Sequence, residues 1–319
     1  VISGILRRLL PAVTVMLCAS LALTAAGCSV SDPEPTPSPE PTVSDEVVVA
    51  SYGPGVPEVI AALYVASLNA SGIPAKGLPP QDLTAAVAAI QSGEADLLAA
   101  PASQLTAAVL ATDVTVTPSP SPSPTVAESR SLDDEVTKLQ TALTSDGISV
   151  LAPAAAVDGV MFVMRRGRAG ADDITNLSDL ARSSETDPVV LAAPTGCADE
   201  YTCLGVLTDG YEVAIDEVLV TPWEQVPNAL LDRTAAVGQL DTVADDIVGL
   251  RVLADDSSLL PPENLVPLLT ETKAAAQGPV DRVQAEITTA DLREFAGDLA
   301  TGQDPNQIAD SWITLRFGG

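Results

Sequence analysis

Histidine is absent from the 319 residues, which removes His-dependent triads, His-ligated zinc and imidazole proton shuttles. Lysine is almost as scarce. Lys76, Lys138 and Lys273 are the whole complement, so a Ser–Lys dyad or a Schiff base has few candidates. Aromatic residues are 3% of the chain against 46% apolar overall, so a core must be built from Ala, Val, Leu and Ile. Positive charge is short as well: 15 Lys and Arg face 43 Asp and Glu, a formal net charge of −28 that argues against nucleic-acid binding. No loop of the Asp-x-Asp-x-Asp-Gly kind is present. Acidic neighbours such as Asp172–Asp173, Asp245–Asp246 and Asp255–Asp256 therefore read as solvated surface, not as metal ligands or facing catalytic carboxylates. The chain is not expected to be an enzyme or to carry a cofactor or metal.

The N-terminus reads as a targeting segment, residues 1–27. Arg7 and Arg8 precede an apolar stretch from Leu9 to Ala26, with Cys18 inside it, ending in Thr24-Ala25-Ala26-Gly27-Cys28. That ending resembles a bacterial lipobox, which implies cleavage before Cys28, lipid on its thiol, and anchoring at the extracytoplasmic face of the cell membrane. A plain secretory signal or an uncleaved anchor is the other reading. Residues 28–46 alternate Pro33, Pro35, Pro37, Pro39 and Pro41 with Glu, Thr and Ser. Such a run favours extended polyproline II, a spacer of about 3 Å per residue that holds a body on the order of 50 Å from its anchor.

The globular pattern begins with Val47-Val48-Val49, a β-branched run suited to a strand covered on both faces. Gly53, Pro54 and Gly55 stop it, Pro57 suits the first turn of a helix, and Ile60, Leu63, Tyr64 and Leu68 share one face, with Gly72 as a left-handed cap. A strand–turn–helix of this kind presents free backbone N–H groups at the mouth of a sheet. Helices are expected over 82–92, 132–144, 176–182, 222–232, 280–286, 289–301 and 305–315. Strands are expected near 148–152, 160–164, 188–192, 235–240 and 265–269. The Pro/Ser-rich tract at 112–125 reads as a surface loop insertion. This alternation predicts an α/β protein with parallel sheets.

Several segments in this order resemble the substrate-binding proteins of glycine betaine/choline (osmoprotectant) ABC importers. They are the VVVASYGPGVPEVIAALYVASL opening, Gly93-Glu94-Ala95-Asp96-Leu97 and Ala156-Val157-Asp158-Gly159-Val160-Met161-Phe162-Val163. They continue with Ile174–Leu180, Val252–Asp256 followed by Leu260-Pro261-Pro262, and Ile308–Trp312. The resemblance spans nearly all of 47–315. It implies a two-lobe, periplasmic-binding-protein-like fold of type 2 with parallel-rich sheets and an inter-lobe cleft. Lobe one would be 47–158 plus 249–319, and lobe two 159–248. It also implies a monomer that captures a small polar or quaternary-ammonium-type solute by hinge closure and delivers it to an ABC permease. The alternative is an envelope scaffold of the same fold that has lost ligand binding.

The ligand set implied by the resemblance is Ser51, Tyr52, Gly53, Ser103, Gln104, Asp158, Thr195 and Trp223. The family holds a quaternary ammonium by cation–π contact with several rings, plus polar groups for a carboxylate. In this chain Tyr52–Val56 replaces the family's usual Lys, Asn, Phe, Thr, Glu run, and Ala100-Pro101-Ala102-Ser103 replaces a Glu-Tyr-Thr-Gly stretch. Roughly at Val243–Asp246, a Thr-Asp-Gly-Arg run is replaced as well. Tyr52 is one candidate ring, with Trp223 or Tyr201 from lobe two as another. Trp223 also suits packing against its own lobe, and Tyr64 suits the core. Cys197 and Cys203, six positions apart in an exported chain, are expected to pair as a disulfide.

Overall fold

The computed structural model describes residues 45–112, 131–244 and 247–318. The targeting segment, Cys28, most of the proline-rich spacer, the Pro/Ser-rich loop from 113 onward and Asp245–Asp246 lie outside the described residues.

The opening unit forms as the residue types dictate. Strand β1 (Val47–Ala50) is nearly all buried. Gly55, at φ +80°, turns the chain into helix α1 (Val56–Ala70), and Gly72, at φ +78°, follows its end. Both positions lie in the left-handed region that favours glycine. Helix α1 buries Val59, Ile60, Leu63, Tyr64 and Leu68 against Val280, Val283, Leu292, Phe295, Ile308 and Trp312. Those partners come from the helices that follow Thr270, so the first and last described elements share one core. Each such aliphatic side chain contributes about 1.5–3 kcal/mol by leaving water.

Two five-stranded sheets carry the rest. The first is ordered β2 (Ala75–Gly77), β1, β3 (Leu97–Pro101), β10 (Leu265–Thr270), β4 (Ile148–Val150). Alternation along β3 sends Leu97 and Ala99 to the α1 side, and Leu98 and Ala100 to the other. There they meet helices α2 (Leu83–Ser92), α3 (Ala102–Thr112) and α4 (Leu132–Leu143). The second sheet is ordered β7 (Ile215–Val220), β6 (Val189–Ala193), β8 (Val237–Asp241), β5 (Val160–Arg165), β9 (Leu250–Leu253). It too is covered on both faces, with Phe162, Met164 and Leu191 in one core and Met161, Val163 and Ala192 in the other. Among its helices, α5 (Arg166–Ala171) and α6 (Leu177–Ser184) precede β6, and α7 (Val226–Leu231) precedes β8.

The sheets are not wholly parallel. β10 runs antiparallel to β3 and β4, and β5 antiparallel to β8 and β9. The reason is topological: each is the strand by which the chain enters a sheet after crossing from the other, so it points away from the crossing while the strands of the βαβ units point towards it. The sheet change also falls later than Gly249. β9 pairs with β5 through Phe162–Leu253 and Arg165–Leu250, so residues 250–253 belong with the second sheet.

Two strands of chain carry the crossing. Asp158 N–H donates to Glu263 O at 2.9 Å, Leu265 N–H to Ala156 O at 3.0 Å, and Val157 bridges Asn264 antiparallel. Thr242 pins them to the end of β8. Its hydroxyl donates to Val157 O at 2.8 Å and accepts from Gly159 N–H at 2.9 Å, and its own N–H donates to Gly159 O.

Candidate functional site

The residues around this crossing form the candidate site. Ser51 follows β1, and its buried hydroxyl donates to Gly53 O at 2.6 Å, which commits it to holding the turn. That turn aims Tyr52 at the crossing, where its phenol donates to Asp158 Oδ2 at 2.5 Å. Burial pushes the Asp158 carboxyl up to about 6; the phenol's bond opposes that rise and nearby Asp241 adds to it. The Tyr52 phenol is itself raised well above its ordinary value, first by burial and then by Asp158. Asp241, exposed by surface area, is still surrounded by enough protein for desolvation to raise its carboxyl.

Glu263 lies on the returning strand of the crossing and is 8% exposed. Its Oε2 accepts the backbone N–H groups of Ser103 at 3.2 Å and Gln104 at 3.4 Å, at the N-terminus of α3. Burial raises this carboxyl to about 8; the two N–H groups pull it down, and Asp158 and Glu135 push it further up. The Ser103 hydroxyl is spent on Pro262 O at 2.9 Å. A cavity of about 220 Å³ opens here, lined by Gln104 from the first lobe, Val160 and Thr202 from the second, and Val157, Gly159, Leu260, Pro261 and Glu263 of the crossing.

The implied ligand set is only partly brought together. Tyr52 and Asp158 are bonded, and Ser103 and Gln104 sit beside Glu263. Trp223, 38% exposed, lines a different hollow of about 430 Å³ with Pro227, Leu240 and Asp241 on one side and Ala296 and Ala300 on the other. Thr195 follows β6 on an exposed turn and lines neither. Asp241, Thr202 and Glu263 were not anticipated. A hollow lined by Arg165, Arg168 and Arg233 lies at the strand ends remote from the crossing.

The nine aromatic side chains can all be placed. Tyr64 donates to Gln284 Oε1 at 2.6 Å in the core, and Phe162 and Phe295 are buried. Trp312 is edge-on to both Phe295 and Phe317. The Tyr211 phenol bonds Asp255, and the Tyr201 ring lies over Gly205 of its own helical turn. Tyr52 reaches the crossing through Asp158, and Trp223 lines the second hollow. The described cation–π contacts, Arg282 over Phe317 and Arg316 over Trp312, knit helix α10 (Pro305–Phe317) instead. Cys197 and Cys203 are joined in a disulfide, tying the turn after β6 to the helical turn Tyr201–Gly210. Among the described residues no group of His, Cys, Asp and Glu is arranged to hold a metal, and no helix is long and apolar enough to cross a membrane.

Residues 45–314 match the model of the substrate-binding domain of ABC-type glycine betaine transport systems. A search of curated protein sequences gives no match. Among solved structures, the ligand-free form of YehZ from Escherichia coli superposes with a TM-score of 0.70 at 17% identity, covering 86% of this chain and all of that one. A glycine betaine/carnitine/choline ABC transporter structure gives 0.69 at 14%, covering 84% and 98%. An ABC-transporter choline-binding protein holding choline gives 0.50 at 12%, covering 86% and 90%. At these identities the likeness establishes the two-lobe fold.

Proposed function

Because the chain belongs to the family of substrate-binding domains of ABC-type glycine betaine transport systems, we propose that it captures a small polar or quaternary-ammonium-type solute between its lobes. Closure about the two crossing strands then presents the loaded body to an ABC permease. Members of this family are solute-binding proteins, not enzymes. The lipobox-like ending at Cys28 supports anchoring on the extracytoplasmic face, with the body acting as a monomer.

The observation that carries this reading is the cavity at the crossing, to which both lobes contribute walls. Two strands joined by a few backbone bonds and one threonine hydroxyl form a narrow hinge. Tyr52 and Asp158, bonded to one another at the crossing next to the cavity's lining and not part of it, offer one ring and one carboxylate, a pairing suited to an ammonium group.

The test is a thermal-shift screen of the full-length protein with choline, betaines, carnitine, polyamines and amino acids. A solute at a hundred times its dissociation constant stabilises the body by about 2.7 kcal/mol. A shift with an ammonium solute, abolished by Tyr52→Ala, is the expected result. If no small solute moves the melting temperature, capture is refuted and the envelope-scaffold reading replaces it.

A further inference from the structure

The first N–H groups of a helix point outward unpaired and favour negative charge, so the N-terminus of α3, facing the inter-lobe cavity, is where a solute carboxylate would bind most simply. In this chain that place is filled from within. The Ala102 N–H donates to Asn264 O at 3.0 Å and the Ser103 N–H to Pro262 O at 3.1 Å. Glu263 Oε2 accepts the Ser103 and Gln104 N–H groups together. Three consecutive residues of the returning strand thus take up the opening turn of the helix.

We propose that Glu263 determines the specificity of the cleft: its carboxyl stands where a solute carboxylate would go, so the protein selects small cations that carry none. The inference rests on the solute-capture reading above. Gly159 makes the arrangement possible, because a Cβ there would lie 2.8 Å from both Cβ and Cγ of Glu263. No Arg or Lys lines the cavity to hold a second carboxylate. Asp158, on the adjacent strand of the crossing, makes a further negative charge unwelcome. Exclusion works by occupation in either ionisation state, since one oxygen accepts both N–H groups.

Choline and glycine betaine form a matched pair, sharing a trimethylammonium group and differing in hydroxyl against carboxylate. Calorimetric titration of the full-length protein should find choline bound at least about tenfold more tightly. Glu263→Ala vacates the place and should bring the two affinities together. Glu263→Gln, which keeps an acceptor oxygen there, should preserve the ratio. Gly159→Ala, which crowds Glu263 without deleting it, should lower it.

Sodium acetate, exchanged for sodium chloride at constant ionic strength, supplies an independent arm: it should raise the melting temperature of Glu263→Ala and leave the wild type and Glu263→Gln unmoved. Glycine betaine bound as tightly as choline by the wild type overturns the proposal, and so does an alanine variant indifferent to acetate. If neither quaternary amine binds the wild type while acetate stabilises the alanine variant, the capture reading fails and the occupation by Glu263 stands.

Discussion

Asp158 and Glu263 each hold a proton more tightly in the folded chain than in the unfolded one, because burial disfavours their charged forms. The sign of the pH dependence follows. Between the unfolded carboxylate values and about 6 for Asp158 or about 8 for Glu263, the native state binds more protons, so stability falls as pH rises through those values. Melting temperature measured from pH 5 to pH 9 should therefore decline, and Glu263→Gln should flatten the upper part of the curve. A rising or flat wild-type profile would contradict the burial of both groups. That Tyr52 sits in the turn after the first strand was legible from the serine and the Gly/Pro run around it; its bond to Asp158, 106 positions away, was not. Glu263 was not, because the contact that gives it meaning reaches across 160 positions to Ser103. Nothing in Pro261-Pro262-Glu263 distinguishes it from any acidic residue of an acidic surface. Thr195 failed to join the cavity for the same reason: position after a strand is readable, but the direction of an exposed turn is set by its neighbours in space.

At the scale of elements, helix α9 (Thr289–Ala300) shows how local and distant bonds combine. Thr288 and Asp291 form a reciprocal capping box. Asp291 Oδ1 also accepts from Trp312 Nε1 at 2.9 Å and pairs with Arg316 at 2.8 Å, both on α10. Burial works against the ionised carboxyl, but these bonds together hold it below its ordinary range. Asp291→Ala leaves the buried indole N–H and the helix start without partners, and should cost about 2–3 kcal/mol, read as a lower urea midpoint at unchanged m-value. The helices with strong apolar faces and the strands rich in Val, Leu and Ile were legible for the usual periodic reasons. β7 was not: Asp216 and Glu217 on an exposed sheet edge hide a strand whose burial is never more than partial. β9 was missed because Arg251 interrupts its short apolar run and only its pairing with β5 defines it.

The molecule as a whole is strongly anionic. With a formal charge of −28 and few ion pairs among the described residues, like-charge repulsion opposes the compact state. Sodium chloride between about 10 and 150 mM, which shortens the screening length from about 30 to about 8 Å, should raise the melting temperature. A fall would mean that the surface pairs, not the repulsion, dominate. The two-lobe architecture was legible from the order of segments, since βα alternation and an early crossing motif survive even where ligand contacts are exchanged. The antiparallel fourth strands were not, since strand direction within a sheet depends on where the chain re-enters it.

That re-entry also orders events on the ribosome. The second sheet draws all five strands from one uninterrupted stretch, Val160–Leu253, whereas the first waits for β10, which lies between β3 and β4 and is not synthesised until residues 265–270. Domains tend to fold as their sequence emerges. A nascent chain released to Asp256 already holds every strand of the second sheet. The first, though begun earlier, still has a gap between two of its strands, and the helices that cover α1 are not yet made. The sheet translated later thus has all its strands first, and helix α1 is covered last, by the helices that follow β10.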